Sequence, residues 1–185
     1  NVYLANRADN TVGKWTAASE SYGPLITNLN SPEGVAVDAA GNVYVAETGN
    51  NRILKWNAAN SNLTTVVTGL NQPTAVAVDG SGNLYIADTG NNAVKKWNAA
   101  TGGLTTLASG LTSPDGVAVD AQGNVYVSEA KVNSASKLPR GFVDSTPRME
   151  SALGGSDVLP VVLPVNQDLQ YPFNPNPLNQ GLAVT

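Results

Sequence analysis

Histidine and cysteine are both absent from the 185 residues of this chain. Zinc sites in proteins rely mainly on these two side chains, and a Ser-His-Asp or Cys-His nucleophile needs at least one of them. Within these residues the sequence therefore excludes the commonest zinc sites and both kinds of catalytic pair. We expect no catalytic residue and no transition metal in the chain.

Charge is also scarce. Charged side chains make up 13% of the chain, with a net charge of −4, whereas an average globular domain has about 25% charged residues. Lys and Arg form no cluster, which argues against nucleic acid as a partner. No apolar run approaches the ~18 residues of a membrane span. A polar, weakly charged surface without cysteine is typical of a secreted or cell-envelope protein of bacterial type, so we expect that location.

A repeat of 41 residues organises most of the chain. The motif [S/Q]-P-x-[G/A]-V-A-V-D occurs three times, at 31–38, 72–79 and 113–120. A second motif, N-[V/L]-Y-[V/L/I]-[A/S], occurs four times, at 1–5, 42–46, 83–87 and 124–128. Tryptophan keeps the same step at Trp15, Trp56 and Trp97. One structural unit has therefore been copied at least three times.

Each unit reads as four short strands joined by turns. We predict strand a from Val35 to Asp38, strand b from Asn42 to Glu47, strand c from Arg52 to Trp56 and strand d from Leu63 to Thr68. The apolar runs are rich in β-branched and aromatic residues, and Gly, Asn, Asp and Pro separate them. Four strands per unit favour the blade of a β-propeller, with the small residues of strand a at a crowded axis.

Two kinds of turn recur. An aspartate ends each strand a and is followed by a glycine three residues later; we interpret these aspartates as hairpin residues that bond the backbone two positions on. They are Asp38, Asp79 and Asp120. Between strands b and c, Thr-Gly-Asn-Asn at 48–51 and 89–92 forms the second turn. The prolines at 32, 73 and 114 are predicted just before strand a, where a missing N–H breaks no ladder.

The motifs P-x-G-V-A-V-D and G-N-V-Y-V-A-E-T-G-N-N-R-I, together with the tryptophan, resemble the NHL repeat over residues 1 to about 130. The resemblance implies an all-β fold, a β-propeller of four-stranded antiparallel blades that most often number six. Six units of 41 residues are longer than this chain, so we expect a partial propeller of about three to four blades, from a fragment or a processed product. The same fold hosts unrelated functions.

The repeat decays after Glu129, where Ala-Lys-Val-Asn replaces the Gly-Asn-Asn turn and Leu138 stands at the tryptophan position. We therefore divide the chain into blades at 1–137, incomplete at the N-terminus, and an extended Pro-rich tail at 138–185. That tail contains seven of the eleven prolines. It is an extended segment or a connector to a further module, and its apolar run at 158–165 is a candidate for packing on a propeller surface or pairing with a strand edge.

Three acids share one repeat position at the end of strand b. They are Glu47, Asp88 and Glu129, and Asn6 takes that place in the first unit. One interpretation is a ring of oxygen ligands for calcium, the single cofactor the pattern could accommodate. The favoured interpretation is structural, with each acid bonded to its own turn or to Arg52, because a repeated residue usually serves the blade. No other cofactor is expected.

Two further side chains recur in register. The tryptophans are interpreted as wedge-filling core residues in preference to sugar-stacking platforms. The lysines before them, Lys14, Lys55 and Lys96, are interpreted as a solvated stripe.

The sequence thus favours a non-catalytic secreted propeller that binds or assembles. Its partners would be protein, polysaccharide or copies of itself, the last through strand edges and the tail. The alternative is a lyase or lactonase of propeller type whose catalytic residues lie in blades outside this chain.

Overall fold

The computed structural model describes residues 1–138, which form four antiparallel sheets. Sheet 1 holds β1 (Val2–Asn6), β2 (Thr11–Thr16) and β3 (Ser21–Ile26). Sheet 2 holds β4 (Pro32–Val37), β5 (Val43–Glu47), β6 (Arg52–Trp56) and β7 (Leu63–Val67). Sheet 3 holds β8 (Pro73–Val78), β9 (Leu84–Asp88), β10 (Ala93–Trp97) and β11 (Leu104–Ser109). Sheet 4 holds β12 (Pro114–Val119), β13 (Val125–Glu129) and β14 (Ser134–Lys137).

Strands that follow one another in the chain are neighbours within each sheet. Sheets 2 and 3 contain the four strands a to d that the repeat predicts. Sheet 1 contains strands b to d, and sheet 4 contains strands a to c among the described residues. Apart from Leu138, the predicted Pro-rich tail lies outside the described residues, and so do its predicted contacts. None of the helices in residues 1–138 is long and apolar enough to cross a membrane.

The strands of each unit bury alternate side chains against two different neighbours, as a pleated strand requires. In β5, Val43 and Val45 pack toward sheet 1, whereas Tyr44 and Ala46 pack toward sheet 3. Sheets 3 and 4 share a third cluster of the same kind. Each sheet is therefore covered on both faces wherever it has two neighbours, which explains why β5 is buried along its whole length.

The inner strand β8 packs against β4 and against β12, in keeping with the predicted position of strand a nearest the axis. Gly34 shows how closely they approach: a Cβ added there would lie 2.7 Å from the Cα of Ala75 in β8. The small residues of strand a are a consequence of this contact.

The inner strands begin earlier than predicted. Pro32, Pro73 and Pro114 are the first residues of β4, β8 and β12, not residues that precede them. Pro32 pairs with Glu47, and the register shifts between Pro32 and Gly34. A proline is tolerated at this place because a bulge next to a strand end interrupts the ladder.

The b-to-c turn is a 3₁₀ turn that ends in an asparagine of left-handed conformation. In sheet 2 it covers Thr48–Asn50, with Asn51 at φ 55°. The fourth unit keeps this turn, since Ala130–Val132 has the same form and Asn133 has φ 50°. The turn geometry is therefore kept although the sequence of the repeat decays after Glu129. Strand c follows as β14, and the buried Leu138 donates its N–H to the carbonyl of Val125 at 2.8 Å.

Candidate functional site

The second residue of each inner strand differs from blade to blade, although the proline before it and the Val-Ala-Val run that begins two residues later repeat. Glu33, Thr74 and Asp115 stand between the proline and the small residue of β4, β8 and β12. Pro32 pairs with Glu47, so this position lies at the same end of the sheets as the b-to-c turns. Glu33 and Thr74 are half-buried and Asp115 is exposed. Together with Arg7 at the end of sheet 1, we call these residues the inner rim.

Polar contacts connect the inner rim from one blade to the next. Arg7 of sheet 1 forms an ion pair with Glu33 of sheet 2 at 2.9 Å. Thr74 of sheet 3 donates its hydroxyl to the backbone carbonyl of Asp115 in sheet 4 at 3.2 Å. The carboxylate of Asp115 in turn accepts a hydrogen bond from Ser128 at 2.6 Å. The rim is thus an accessible line of charged and hydroxyl groups held in place by side-chain and backbone partners.

The acids at the end of strand b have a different role. The carboxylate of Glu47 accepts the backbone N–H of Asn30 at 2.8 Å and an N–H from Arg52. Glu129 accepts the backbone N–H of Thr112. Each acid thereby binds the segment that leads into strand a of its own blade. Asn6, at the equivalent place in sheet 1, accepts the N–H groups of Ala8 and Asp9 instead.

Asp88 is the most enclosed of these acids, with none of its side chain exposed. It accepts the N–H of Asn71 and an amide N–H of Asn91, each at 2.7 Å, and it pairs with the ammonium of Lys95 at 2.8 Å. Its cation comes from the third residue of strand c, whereas the cation of Glu47 comes from the first, Arg52. Glu47 and Asp88 therefore take their cations from different positions of strand c.

Glu47, Asp88 and Glu129 are the residues that the sequence offers as calcium ligands. Over residues 1–138, the structure contains no group of three or more His, Cys, Asp or Glu side chains placed to hold a metal ion. Because each acid binds the backbone of its own blade, the three do not converge on one point.

Asp38 and its equivalents lie at the tips of the hairpins between strands a and b. Asp38 accepts N–H groups from the backbone of Ala40 and from the backbone and side chain of Asn42, and the hydroxyl of Tyr44. Burial by itself would raise the pKa of Asp38, but these hydrogen bonds together outweigh it and hold the pKa below the ordinary 3.8. Asp79 binds its own turn in the same way, and so does Asp120.

The lysines before the tryptophans are not a simple solvated stripe. The ammonium of Lys55 lies over the ring of its cross-strand partner Tyr44, 5.4 Å from the centroid. The arrangement recurs three times, at Lys14 with Tyr3, Lys96 with Tyr85 and Lys137 with Tyr126. The contact is a cation–π interaction, and in three blades the same tyrosine also donates to the hairpin aspartate.

The tryptophans end strand c in sheets 1, 2 and 3, as the repeat predicts. They are less buried than the prediction of wedge-filling core residues implies. Trp15 is 38% exposed, and Trp56 and Trp97 are half-buried at the edges of the clusters they contact. The wedge between sheets is filled instead by fully buried aliphatic residues such as Ile53, Leu84 and Ile86.

Tyr44 provides a pH-dependent prediction. Burial and the negative charge of Asp38 raise its pKa to about 12 from 10.0. A tyrosine whose pKa is higher in the folded state stabilises the fold fully below pH 10, and this contribution disappears between pH 10 and about 12. In alkaline absorbance titrations, the difference between the wild type and Tyr44→Phe should therefore have its midpoint near pH 12, with circular dichroism confirming that both remain folded. A midpoint near pH 10 would contradict the burial of this hydroxyl.

Sequence reasoning did not single out the inner rim. The signal was present, because Glu33, Thr74 and Asp115 occupy the one position of the repeated motif that holds a different residue in each copy. A residue that repeats in every copy is required by the structure of the blade. A residue that varies at an accessible position of the same motif is not required by that structure.

Comparison with known proteins agrees with the fold. The NHL repeat family matches residues 29–56 and 70–97, which span strands a to c of sheets 2 and 3. No curated protein sequence matches the chain significantly.

Among solved structures, an inactive histidine-to-alanine variant of virginiamycin B lyase from Staphylococcus aureus with quinupristin has 17% identity and a TM-score of 0.61, over 73% of this chain and 47% of its own. A chain of a nidogen/laminin complex has 15% identity and a TM-score of 0.57, over 70% and 58%. A putative gluconolactonase has 16% identity and a TM-score of 0.59, over 73% and 57%.

These likenesses show the fold, and the chain spans about half the length of the proteins it matches. The 41-residue repeat, the four propeller-type sheets and the family match agree with one another: the chain contains NHL repeats that form blades of a β-propeller.

Proposed function

We propose that this chain is a non-catalytic binding scaffold, located outside the cell or in the cell envelope, whose inner rim contacts a protein partner. The observation that carries the proposal is the variation at the inner rim, where Glu33, Thr74 and Asp115 differ among the three copies of one internal repeat. A rigid scaffold that presents variable polar groups is the usual organisation of a binding surface.

The chemistry of the rim fits a polar protein surface. Arg7 and Glu33 supply charges of both signs, Thr74 supplies a hydroxyl and Asp115 a second carboxylate. Arg7 is 68% exposed on its side chain, so it can exchange its ion pair with Glu33 for a partner's carboxylate at small cost. Polysaccharide hydroxyls could use the same groups, which makes glycan binding the second form of this proposal.

The enzymatic alternative is a lyase or lactonase of propeller type, and it is favoured by two of the similar structures. One is a virginiamycin B lyase and the other a putative gluconolactonase. The lyase variant described as catalytically inactive has lost a histidine, and the present chain has no histidine. An enzyme of that kind would need its essential side chains from residues outside these 185.

Site-directed photo-crosslinking distinguishes these functions. A crosslinking residue at Thr74 should capture a partner from the native host extract, and wild-type chain in excess should prevent the capture. Excess Glu33→Ala/Asp115→Ala double variant should not prevent it. The matched control places the crosslinker at Thr105, on the exposed outer strand β11.

Equal capture at both positions, or equal competition by the double variant, would contradict binding at the inner rim. Specific retention on a glycan array without protein capture would select the polysaccharide form. Turnover of virginiamycin B or gluconolactone by the purified chain would overturn the non-catalytic proposal.

A further inference from the structure

The sequence contains one acceptor motif for N-linked glycosylation, Asn62-Leu63-Thr64. Such a motif is an asparagine followed two positions later by serine or threonine, with any residue except proline between them. No other asparagine in the 185 residues meets this condition. The three residues are not part of the inner rim, so a modification here would be a property separate from binding at the rim.

All three residues of the acceptor motif lie on the surface. Asn62 ends the turn between β6 and β7, and Leu63 and Thr64 begin β7, the outermost strand of sheet 2. Each of them is exposed, and even the apolar Leu63 is 42% exposed. Sheet 2 has a neighbouring sheet on each face, so this exposure does not arise at an end of the described chain. A glycan on Asn62 would therefore displace no buried side chain.

The turn that contains Asn62 is closed by the backbone of this residue. Its N–H donates to the side-chain oxygen of Asn60 at 3.1 Å, and its carbonyl accepts the N–H of Asn57 at 2.9 Å. In sheet 3 the equivalent residue is Gly103, whose carbonyl accepts the N–H of Asn98 at 2.8 Å. The same turn thus forms without an asparagine side chain at this position. The blade does not require the amide group of Asn62.

Asn62 lies at the end of sheet 2 that is opposite the inner rim. Leu63 pairs with Trp56, which in turn pairs with Val43, the first residue of β5. The rim lies at the other end of β5, where Glu47 pairs with the proline that precedes the rim residue of β4. A glycan at Asn62 therefore leaves the inner rim free to contact a partner.

We propose that the side-chain nitrogen of Asn62 carries an N-linked glycan. The inference rests on the proposed location of the chain, because this modification belongs to proteins that are exported from the cell. The co-reactant is an oligosaccharide joined through diphosphate to a polyprenyl lipid. The amide nitrogen bonds to C1 of the first sugar as the bond from C1 to the diphosphate oxygen breaks. The amide gives one proton to a base of the transferase, and polyprenyl diphosphate leaves.

Peptide mapping by mass spectrometry tests the proposal on the chain isolated from its native host. Trypsin cuts after Lys55 and Lys95, so one peptide contains the whole acceptor motif. That peptide should carry a glycan. Release of the glycan by N-glycosidase, in water enriched in heavy oxygen, should leave a labelled aspartate in place of Asn62.

Variants produced in the same host test whether the acceptor motif directs the attachment. Thr64→Ala should abolish the glycan, whereas Thr64→Ser should keep it because the hydroxyl remains. Thr65→Ala is the matched control, at the next exposed residue of β7, and it should keep the glycan. The hydroxyl of Thr64 donates to the carbonyl of Lys55 at 3.5 Å, so the blade loses only a weak hydrogen bond. After deglycosylation, all these chains should have similar melting temperatures.

The equivalent turn of sheet 3 allows a gain of modification. Gly103→Asn creates the same Asn-Leu-Thr motif with Leu104 and Thr105. The backbone of Gly103 lies outside the left-handed region. An added Cβ would lie 3.2 Å from the hydroxyl of Thr101, so asparagine requires only a small shift of that side chain. The variant should therefore carry two glycans.

An unmodified Asn62 in the native chain would overturn the proposal, most clearly in a host that modifies Gly103→Asn. A glycan that persists in Thr64→Ala would overturn it as well. Crosslinking at Thr74 separates this result from binding at the rim, because Thr64→Ala should capture the partner as efficiently as the wild type. An exported chain that captures its partner with Asn62 unmodified would contradict glycosylation and leave the binding scaffold intact.

Discussion

Replacing Asp88 by asparagine is expected to lower the free energy of unfolding by about 3–5 kcal/mol. The side chain is completely buried; its carboxylate accepts hydrogen bonds from Asn71 and Asn91 and forms an ion pair with Lys95. An amide can replace only one of the two acceptor oxygens, so its NH₂ group would face a donor. The ammonium of Lys95, 16% exposed, would also lose its counter-charge.

Urea denaturation followed by circular dichroism measures this loss, and two variants test its cause. Glu129→Gln is the matched control: Glu129 is half-buried and binds the N–H of Thr112, so about 1 kcal/mol should be lost. Adding Lys95→Met to Asp88→Asn should recover part of the stability, since it removes the uncompensated cation. A loss below about 1 kcal/mol in Asp88→Asn would show that the pair is not essential to the blade.

The repeated sequence is sufficient to predict the blade. Strand c has the same limits in prediction and structure, Arg52–Trp56, because Asn51 and the charged Arg52 define one end and the tryptophan the other. The hairpin after strand a was also predictable, since an aspartate followed by a glycine is a local signal. Asp38 does bond the backbone two residues on, and Gly41 has φ 82°. The hairpin turn could be predicted because it depends only on residues that are close together in the sequence.

Contacts across strands were less predictable. Lys55 and Tyr44 are eleven positions apart in the sequence, and only the register of β5 against β6 shows that they face each other. The cation of Asp88 was missed for a related reason. Arg52 has no counterpart at the same position in sheet 3, where Ala93 stands, and the charge has moved to Lys95 on the same strand.

The tryptophans show a limit of arguing from residue size. From its size, an indole ring is expected to fill a wide space between two sheets. The tryptophans lie at the end of strand c, however, where the neighbouring sheet buries less of the ring. The interior positions of strands b and c hold aliphatic residues, because adjacent sheets approach closely enough to bury Ile53 and Leu84 completely. Position along the strand therefore determines burial more than side-chain volume does.

Gly34→Ala should lower the free energy of unfolding by about 1–3 kcal/mol, although it adds only one methyl group. A Cβ at this position would lie 2.7 Å from both the Cα of Ala75 and the carbonyl oxygen of Thr74. Both obstacles are backbone atoms of β8, which is itself held in sheet 3, so relief requires two sheets to move apart. The substitution thus tests whether the inner strands approach as closely as the structure indicates.

Gly23→Ala is the control, because Gly23 also lies in a strand but has no atom within 4 Å of an added Cβ. There the methyl group should leave stability unchanged or raise it by up to about 1 kcal/mol, since alanine restricts the unfolded chain. Thermal and urea denaturation of the two variants measure the difference. Equal stability would mean that β4 and β8 are farther apart than the structure places them. A loss confined to Gly34→Ala would show that contact between the inner strands, and not a general intolerance of alanine in these sheets, requires glycine at this position.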